Sequence, residues 1–183
     1  MKKCLFFVAA TLLAVCSVAA EGFVAGSRDV APGGSLKEAQ VFKGFGCDGG
    51  NRSPQIWWKN VPAGTQSFAV TVFDPDAPTG SGWWHWVIFD IPANVTELPA
   101  GAGDPSKGLA PANSVQSSTD FGSPGYGGAC PPKGDKPHRY VFTVFAVNTP
   151  KLGVPASATA AMVGAVLNGQ TIAKSSFTAF YRR

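Results

Sequence analysis

Three stretches constrain this chain more than any others: Ser67–Asp74 (SFAVTVFD), Trp83–Ile91 (WWHWVIFDI) and His138–Asn148 (HRYVFTVFAVN). Each is rich in β-branched and aromatic residues, and each is apolar on both of the faces that alternate along a strand. Such a strand has no face to give to water, so it belongs in the middle of a sheet covered on both sides. Gln55–Lys59 (QIWWK) is a shorter strand candidate and Phe177–Arg182 (FTAFYR) a final one. Pro and Gly punctuate the rest every few residues, as in a sandwich. One helix is expected over Ser157–Leu167, capped by Ser157 and stopped at Asn168-Gly169. Gly101–Asp120 is polar and poorly periodic, and reads as a surface loop.

The N-terminus sets the compartment. Lys2 and Lys3 precede an apolar run from Leu5 to Val15, and Val18-Ala19-Ala20 supplies small residues for cleavage after Ala20. The run is short for a membrane span, which needs roughly 20 residues. Residues 1–20 therefore read as a signal peptide and 21–183 as one domain, periplasmic or secreted, with no stable membrane span. Half of the net charge of +4 leaves with Lys2 and Lys3. No block of like charges remains, so a nucleic-acid partner is not expected. Cys4 and Cys16 leave with the leader, and Cys47 and Cys130 remain as an even pair in an oxidising compartment. They are expected to form a disulfide.

The chemistry concentrates at three places. His85 and His138 lie near the starts of two of the long strands, and Asp74-Pro75-Asp76-Ala77-Pro78 ends the third. The two prolines force a rigid turn, and Ala77–Pro78 is a candidate cis bond. Gly122 to Gly134 is rich in Gly and Pro and can turn several backbone N–H groups toward one anion. Asp74 beside a histidine would fix its tautomer and favour its charged form. His85, His138 and Tyr140 would then be donors, with Trp83, Trp84 and Trp86 as walls. The two histidines and two aspartates could in principle hold Zn²⁺, but the Pro-locked Asp74 and Asp76 are read as turned to opposite sides of the strand end, so no metal is expected; no cofactor is expected either.

DPDAP, GWWHW and PPKGDKPHRY, in that order, resemble the phosphatidylethanolamine-binding protein (PEBP) family, in its bacterial Raf-kinase-inhibitor-like branch (YbhB/YbcL type). The likeness runs from about Phe42 to Val147 and includes Gly50-Asn51-Arg52-Ser53-Pro54. The leader and cysteine pair look most like the periplasmic members. The resemblance implies a mainly β fold, an antiparallel β-sandwich with one or two short helices, and an anion pocket at one end of the central sheet. By motif match that pocket involves Asp74, Ala77, Pro78, Trp83, His85, Gly128, Pro131, Pro132, His138 and Tyr140. It also implies affinity for phosphate-like groups, such as a phospholipid headgroup. Cys130 stands where many animal members have Gly, and the C-terminal helix that helps close the animal pocket is missing.

The leading expectation is an exported binding or regulatory module for a small phosphate- or carboxylate-bearing ligand, with no turnover. An interaction or inhibitor protein with a protein partner outside the cytoplasm is an alternative, and so is a weak hydrolase using a His/Asp pair. No Gly-x-Ser-x-Gly elbow supports the hydrolase. Self-association into a homodimer is left open.

Overall fold

The computed structural model describes residues 22–183. The expected leader, with Cys4, Cys16 and the cleavage point after Ala20, lies outside the described residues. The elements in chain order are β1 (Val24–Gly26), β2 (Lys43–Gly44), β3 (Cys47–Asp48), β4 (Ile56–Lys59), β5 (Ser67–Asp74), β6 (Trp83–Pro92), β7 (Glu97–Leu98), β8 (Val115–Gln116), β9 (His138–Val147), α1 (Ala160–Gln170) and β10 (Thr171–Tyr181). A five-stranded antiparallel sheet has the order β10-β9-β5-β6-β8, and a three-stranded one the order β1-β4-β7. β2 and β3 form a separate hairpin.

The two-sided apolar runs are explained by a layer on each face of the large sheet. On one face Phe68, Val70 and Val72 of β5, Ile88 of β6, and Phe142 and Val144 of β9 meet Ile56 and Trp58 of β4 and Leu98 of β7. This is the sandwich core. On the other face Ala69, Val87, Phe89 and Val147 pack with Ala160, Val163 and Leu167 of α1. Burying one such large side chain contributes about 1.5–3 kcal/mol, so β5, β6 and β9 are anchored from both sides. Among the described residues no helix is long and apolar enough to cross a membrane.

Three sequence expectations move. The helix begins three residues later than expected, because Ala158 N–H still bonds Pro155 C=O in a turn. Thr159, not Ser157, is the N-cap, its Oγ1 accepting from Met162 N–H. At the other end the helix runs through Gly169 to Gln170. There Thr171 Oγ1 donates to Leu167 C=O and Asn148 N–H to Gln170 C=O, so two of the last four carbonyls have partners without a left-handed glycine. β10 starts at Thr171 rather than Phe177, its first half a partly exposed edge whose polar residues hid it. Gly101–Asp120 is not all loop: β8 pairs with β6, and Ser117 is fully buried.

One irregularity positions the site. Val72 pairs with Trp86 and Phe73 with Trp84, so β6 carries one extra residue, His85, against β5. This is a β-bulge, which bends a strand and re-aims the side chain that it carries. A second register shift lies between Phe68 and Val70, where Asp90 of β6 has φ of 57°.

Candidate functional site

Strand alternation places Asp74 in line with Val72, and His138 and Tyr140 in line with Phe142, all on the sandwich-core face. They lie at one end of the large sheet, where the chain runs out of apolar residues and the core opens. The opening is a cavity of about 190 Å³ lined by Phe45, Asp74, Ala77, Pro78, Thr79, Trp83, His85, Phe121, Cys130, Pro131, Pro132, His138 and Tyr140. Nine of the ten residues expected from the motifs line it; Gly128 does not. The bulge makes this assembly: it brings His85 to the cavity with Trp83, and its ring lies edge-on to Tyr140 at 5.1 Å and to Phe121 at 5.4 Å.

His138 is buried, and each of its nitrogens faces a carboxylate: Nδ1 lies 2.8 Å from Asp74 Oδ2 and Nε2 lies 3.2 Å from Asp135 Oδ2. Burial works against the charged ring, but hydrogen bonds to Asp74 and Asp135 outweigh it and raise the His138 pKa above its usual value. The two carboxylates favour the charged ring, in which both nitrogens donate. His85 is the opposite case. Its Nδ1–H donates to the Gly127 carbonyl at 2.7 Å, which leaves Nε2 as the lone-pair nitrogen of the neutral ring. Burial holds its pKa below the ordinary value, against the Gly127 carbonyl and the charge of Asp74.

Tyr140 is 1% exposed, and its hydroxyl has no hydrogen-bond partner in the protein. Burial, with the charge of Asp74 behind it, pushes its pKa up, so it is an O–H donor. Asp76 supports the wall from outside. Its carboxylate accepts from Arg139 Nε at 2.8 Å, Nη2 at 2.9 Å and the Arg139 backbone N–H at 2.9 Å, fixing the residue between His138 and Tyr140. The side-chain bonds from Arg139 hold the Asp76 carboxyl well below the usual carboxylate range. Asp74 Oδ1 in turn accepts from Asp76 N–H.

Several expected roles change. Most glycine N–H groups of the Gly-rich loop are spent inside the protein rather than offered to the cavity. Gly122, Tyr126, Gly127, Gly128, Ala129 and Gly134 all donate within the protein, Gly128 to Asn51 Oδ1 at 2.7 Å. The loop is tied instead by a bridge between Val41 and Ala129. A Cβ on Gly128 would lie 2.3 Å from Gln40 C=O, so its glycine is a packing requirement. Of the three tryptophans only Trp83 lines the cavity; Trp84 packs on the helix side and Trp86 in the sandwich core. Among the described residues there is no cis peptide, so Ala77–Pro78 is trans. Asp135, Phe45, Thr79 and Phe121 were not singled out from the sequence. Asp135 alone had a signal, its placement three residues before His138.

Cys47 and Cys130 form a disulfide with Cα atoms 6.0 Å apart. It ties the β2–β3 hairpin to the cavity wall. Arg183 reinforces the tie, donating to the carbonyls of Pro131, Gly46 and Phe45. Among the described residues no group of three or more His, Cys, Asp or Glu is placed to hold a metal ion.

The family model for phosphatidylethanolamine-binding protein matches residues 26–182. The chain belongs to the PEBP family. Among its relatives is the Escherichia coli UPF0098 protein YbcL, 49% identical over 176 residues, covering 95% of this chain and 96% of YbcL. The E. coli UPF0098 protein YbhB is 48% identical, covering 85% of this chain and 97% of YbhB. The crystal structure of E. coli YbcL superposes with a TM-score of 0.86, at 52% identity over 88% of this chain and 98% of that one. The PEBP fold of this chain is mostly β, with a single α-helix among the described residues, and the cavity lies at the end of its large sheet.

Proposed function

We propose that this PEBP-family protein is exported and holds a small phosphate- or carboxylate-bearing group in the sheet-end cavity, as a binding module without turnover. The Tyr140 hydroxyl carries this reading. A buried donor without a protein partner is costly, and an anionic oxygen in the cavity would satisfy it. Asp135 supports the same reading, because its carboxylate already sits on His138 Nε2 as an internal anion. An incoming phosphate oxygen would replace it there, and Asp135, with a side chain 43% exposed on the outer loop, can turn to solvent. The neutral His85, whose Nε2 is an acceptor, would suit the one O–H of a monoprotonated phosphate. Of the two hydroxyl-bearing side chains lining the cavity, Thr79 donates to Gly82 C=O and Tyr140 is held protonated, so neither is placed as an activated nucleophile.

Calorimetric titration with inorganic phosphate, acetate and phosphoethanolamine tests this. Phosphate is expected to bind, and Asp135→Asn to tighten it by a few-fold, up to about fivefold, as befits a half-exposed ion pair. Absence of heat with all three ligands at roughly ten millimolar, below about −3 kcal/mol of affinity, would sink the proposal. A response to phosphoethanolamine alone would shift it to a lipid headgroup.

A further inference from the structure

A second and larger cleft, of about 470 Å³, shares a wall with the sheet-end cavity: Phe45 and Phe121 line both. Arg52 lines this cleft, and its guanidinium makes no hydrogen bond or ion pair among the described residues. By contrast, the guanidinium groups of Arg28, Arg139 and Arg183 are all bonded. Arg182 shares this lack of a partner but borders neither cavity.

The backbone around Arg52 is held on every side. Its N–H donates to Ala39 C=O, Ser53 C=O accepts from Gly101 N–H, and Asn51 bonds both Tyr126 C=O and Gly128 N–H. The cation is thus presented from a rigid segment, which an incoming ligand need not order first. Lys107 lines the same cleft and lies 3.7 Å from Asp104, which also lines it. The three charges leave the cleft with a surplus of one positive charge.

The shared wall is itself unusual. Phe45 is 69% exposed and has φ of 52°, a left-handed backbone that a bulky residue adopts at some cost. The Cys47–Cys130 disulfide and the Arg183 bonds to the Phe45 and Gly46 carbonyls keep it there. Its ring is nearly parallel to that of Phe121, with centroids 5.9 Å apart and planes at 13°. An apolar surface is therefore held between a donor-lined cavity and a cationic cleft.

We propose that the two cavities form one composite site for an elongated dianion. One acidic end would occupy the cavity at Tyr140 and His138, an apolar middle would cross Phe45 and Phe121, and the second acidic end would meet Arg52 and Lys107. This rests on the first cavity taking an anion, as proposed above. Linking two weak anion contacts in one molecule raises affinity through effective concentration, with no new contact needed.

The test uses inorganic phosphate and a series of α,ω-alkane bisphosphonates, with the matching monophosphonates as controls, against the wild-type protein and Arg52→Ala. One spacer length is expected to bind the wild-type protein roughly tenfold or more tightly than its monophosphonate. Arg52→Ala should erase that advantage and leave the affinity for inorganic phosphate within about twofold, since Arg52 does not line the first cavity. No length optimum, or an optimum untouched by Arg52→Ala, overturns the composite site while phosphate binding still upholds the first cavity. Loss of phosphate binding in Arg52→Ala also overturns it, by making Arg52 a part of the first cavity's architecture. Failure of phosphate and of every phosphonate to bind the wild-type protein overturns the composite site, and failure of acetate and phosphoethanolamine as well removes the first reading with it.

Discussion

Tyr140→Phe separates a functional hydroxyl from a structural one. The substitution removes a single oxygen and keeps the ring that lies edge-on to His85 at 5.1 Å. In the folded protein that oxygen is buried and has no protein partner, so its removal breaks no internal hydrogen bond. Leaving a buried polar group without a partner costs about 1–3 kcal/mol, and the variant avoids any part of that cost which the native chain bears. Stability should therefore be unchanged or higher, and a gain of about 1 kcal/mol would raise Tm by roughly 2–4 °C at this chain length. Binding should move the other way. A hydrogen bond to a charged oxygen contributes about 1.5–3 kcal/mol, so phosphate affinity should fall by roughly 10- to 150-fold. Paired calorimetric titration and thermal unfolding of both proteins read the two effects. A variant that loses more than about 1 kcal/mol of stability while binding phosphate within twofold of wild type would refute the reasoning, because the hydroxyl would then have a structural partner.

Three further outcomes follow from the geometry. Replacing both disulfide cysteines with Ser opens a link across a sequence separation of 83, which the chain-entropy relation values at about 4.5 kcal/mol; urea unfolding should show most of that loss, and a change below about 1 kcal/mol would contradict it. Stability should peak near pH 6.5 from the two histidines. Raised in the fold, His138 confers stability that is full below its usual 6.5 and lost as pH climbs through its folded pKa. His85, lowered in the fold, stays neutral while the unfolded ring takes a proton, so stability also falls as pH drops below 6.5; in urea midpoints measured from about pH 5 to 9, a limb that stays flat above 6.5 would refute the His138 assignment and one that stays flat below it the His85 assignment. Gly127→Ala places a Cβ 2.2 Å from the Phe121 ring, so it should cost about 1–3 kcal/mol and disturb ligand binding in both cavities, read by unfolding and by phosphate titration.

The parts of the molecule that were legible in the sequence are those where burial writes the code. β5 matches its expected span, and β6 and β9 differ from theirs by a single residue at the C-terminal end, because residues apolar on both faces have few other places to go. Asp74, His85, His138 and Tyr140 could be located because polar residues at the ends of such strands stand out, and the motifs then grouped them. What could not be read depends on counting between chains. The bulge at His85 is invisible in WWHWVIFDI, where every neighbour is apolar whichever way it points. The loop N–H groups were assigned to an anion because glycine permits that geometry, but those of Gly128 and Ala129 bond Asn51 and Gln40, more than 70 residues away. The engagement of His138 by Asp135 depends on a loop conformation that spacing alone does not set.

The doubled residue at His85 gives β6 something like a reading frame. Trp84 and Trp86 are two apart yet face opposite layers, and Ile88 and Ile91 are three apart yet share the sandwich core. The segment between the two register shifts is out of phase with both flanks, and the second shift, at Asp90, restores the phase that the first disturbs. One residue added or lost between His85 and Asp90 would leave a continuous ladder but send Trp86 and Ile88 into the helix layer. A change of equal size in the Thr79–Gly82 turn would merely lengthen or shorten a surface connection. Across relatives of this chain, the length of that six-residue stretch should therefore vary less than the identity of the residues within it.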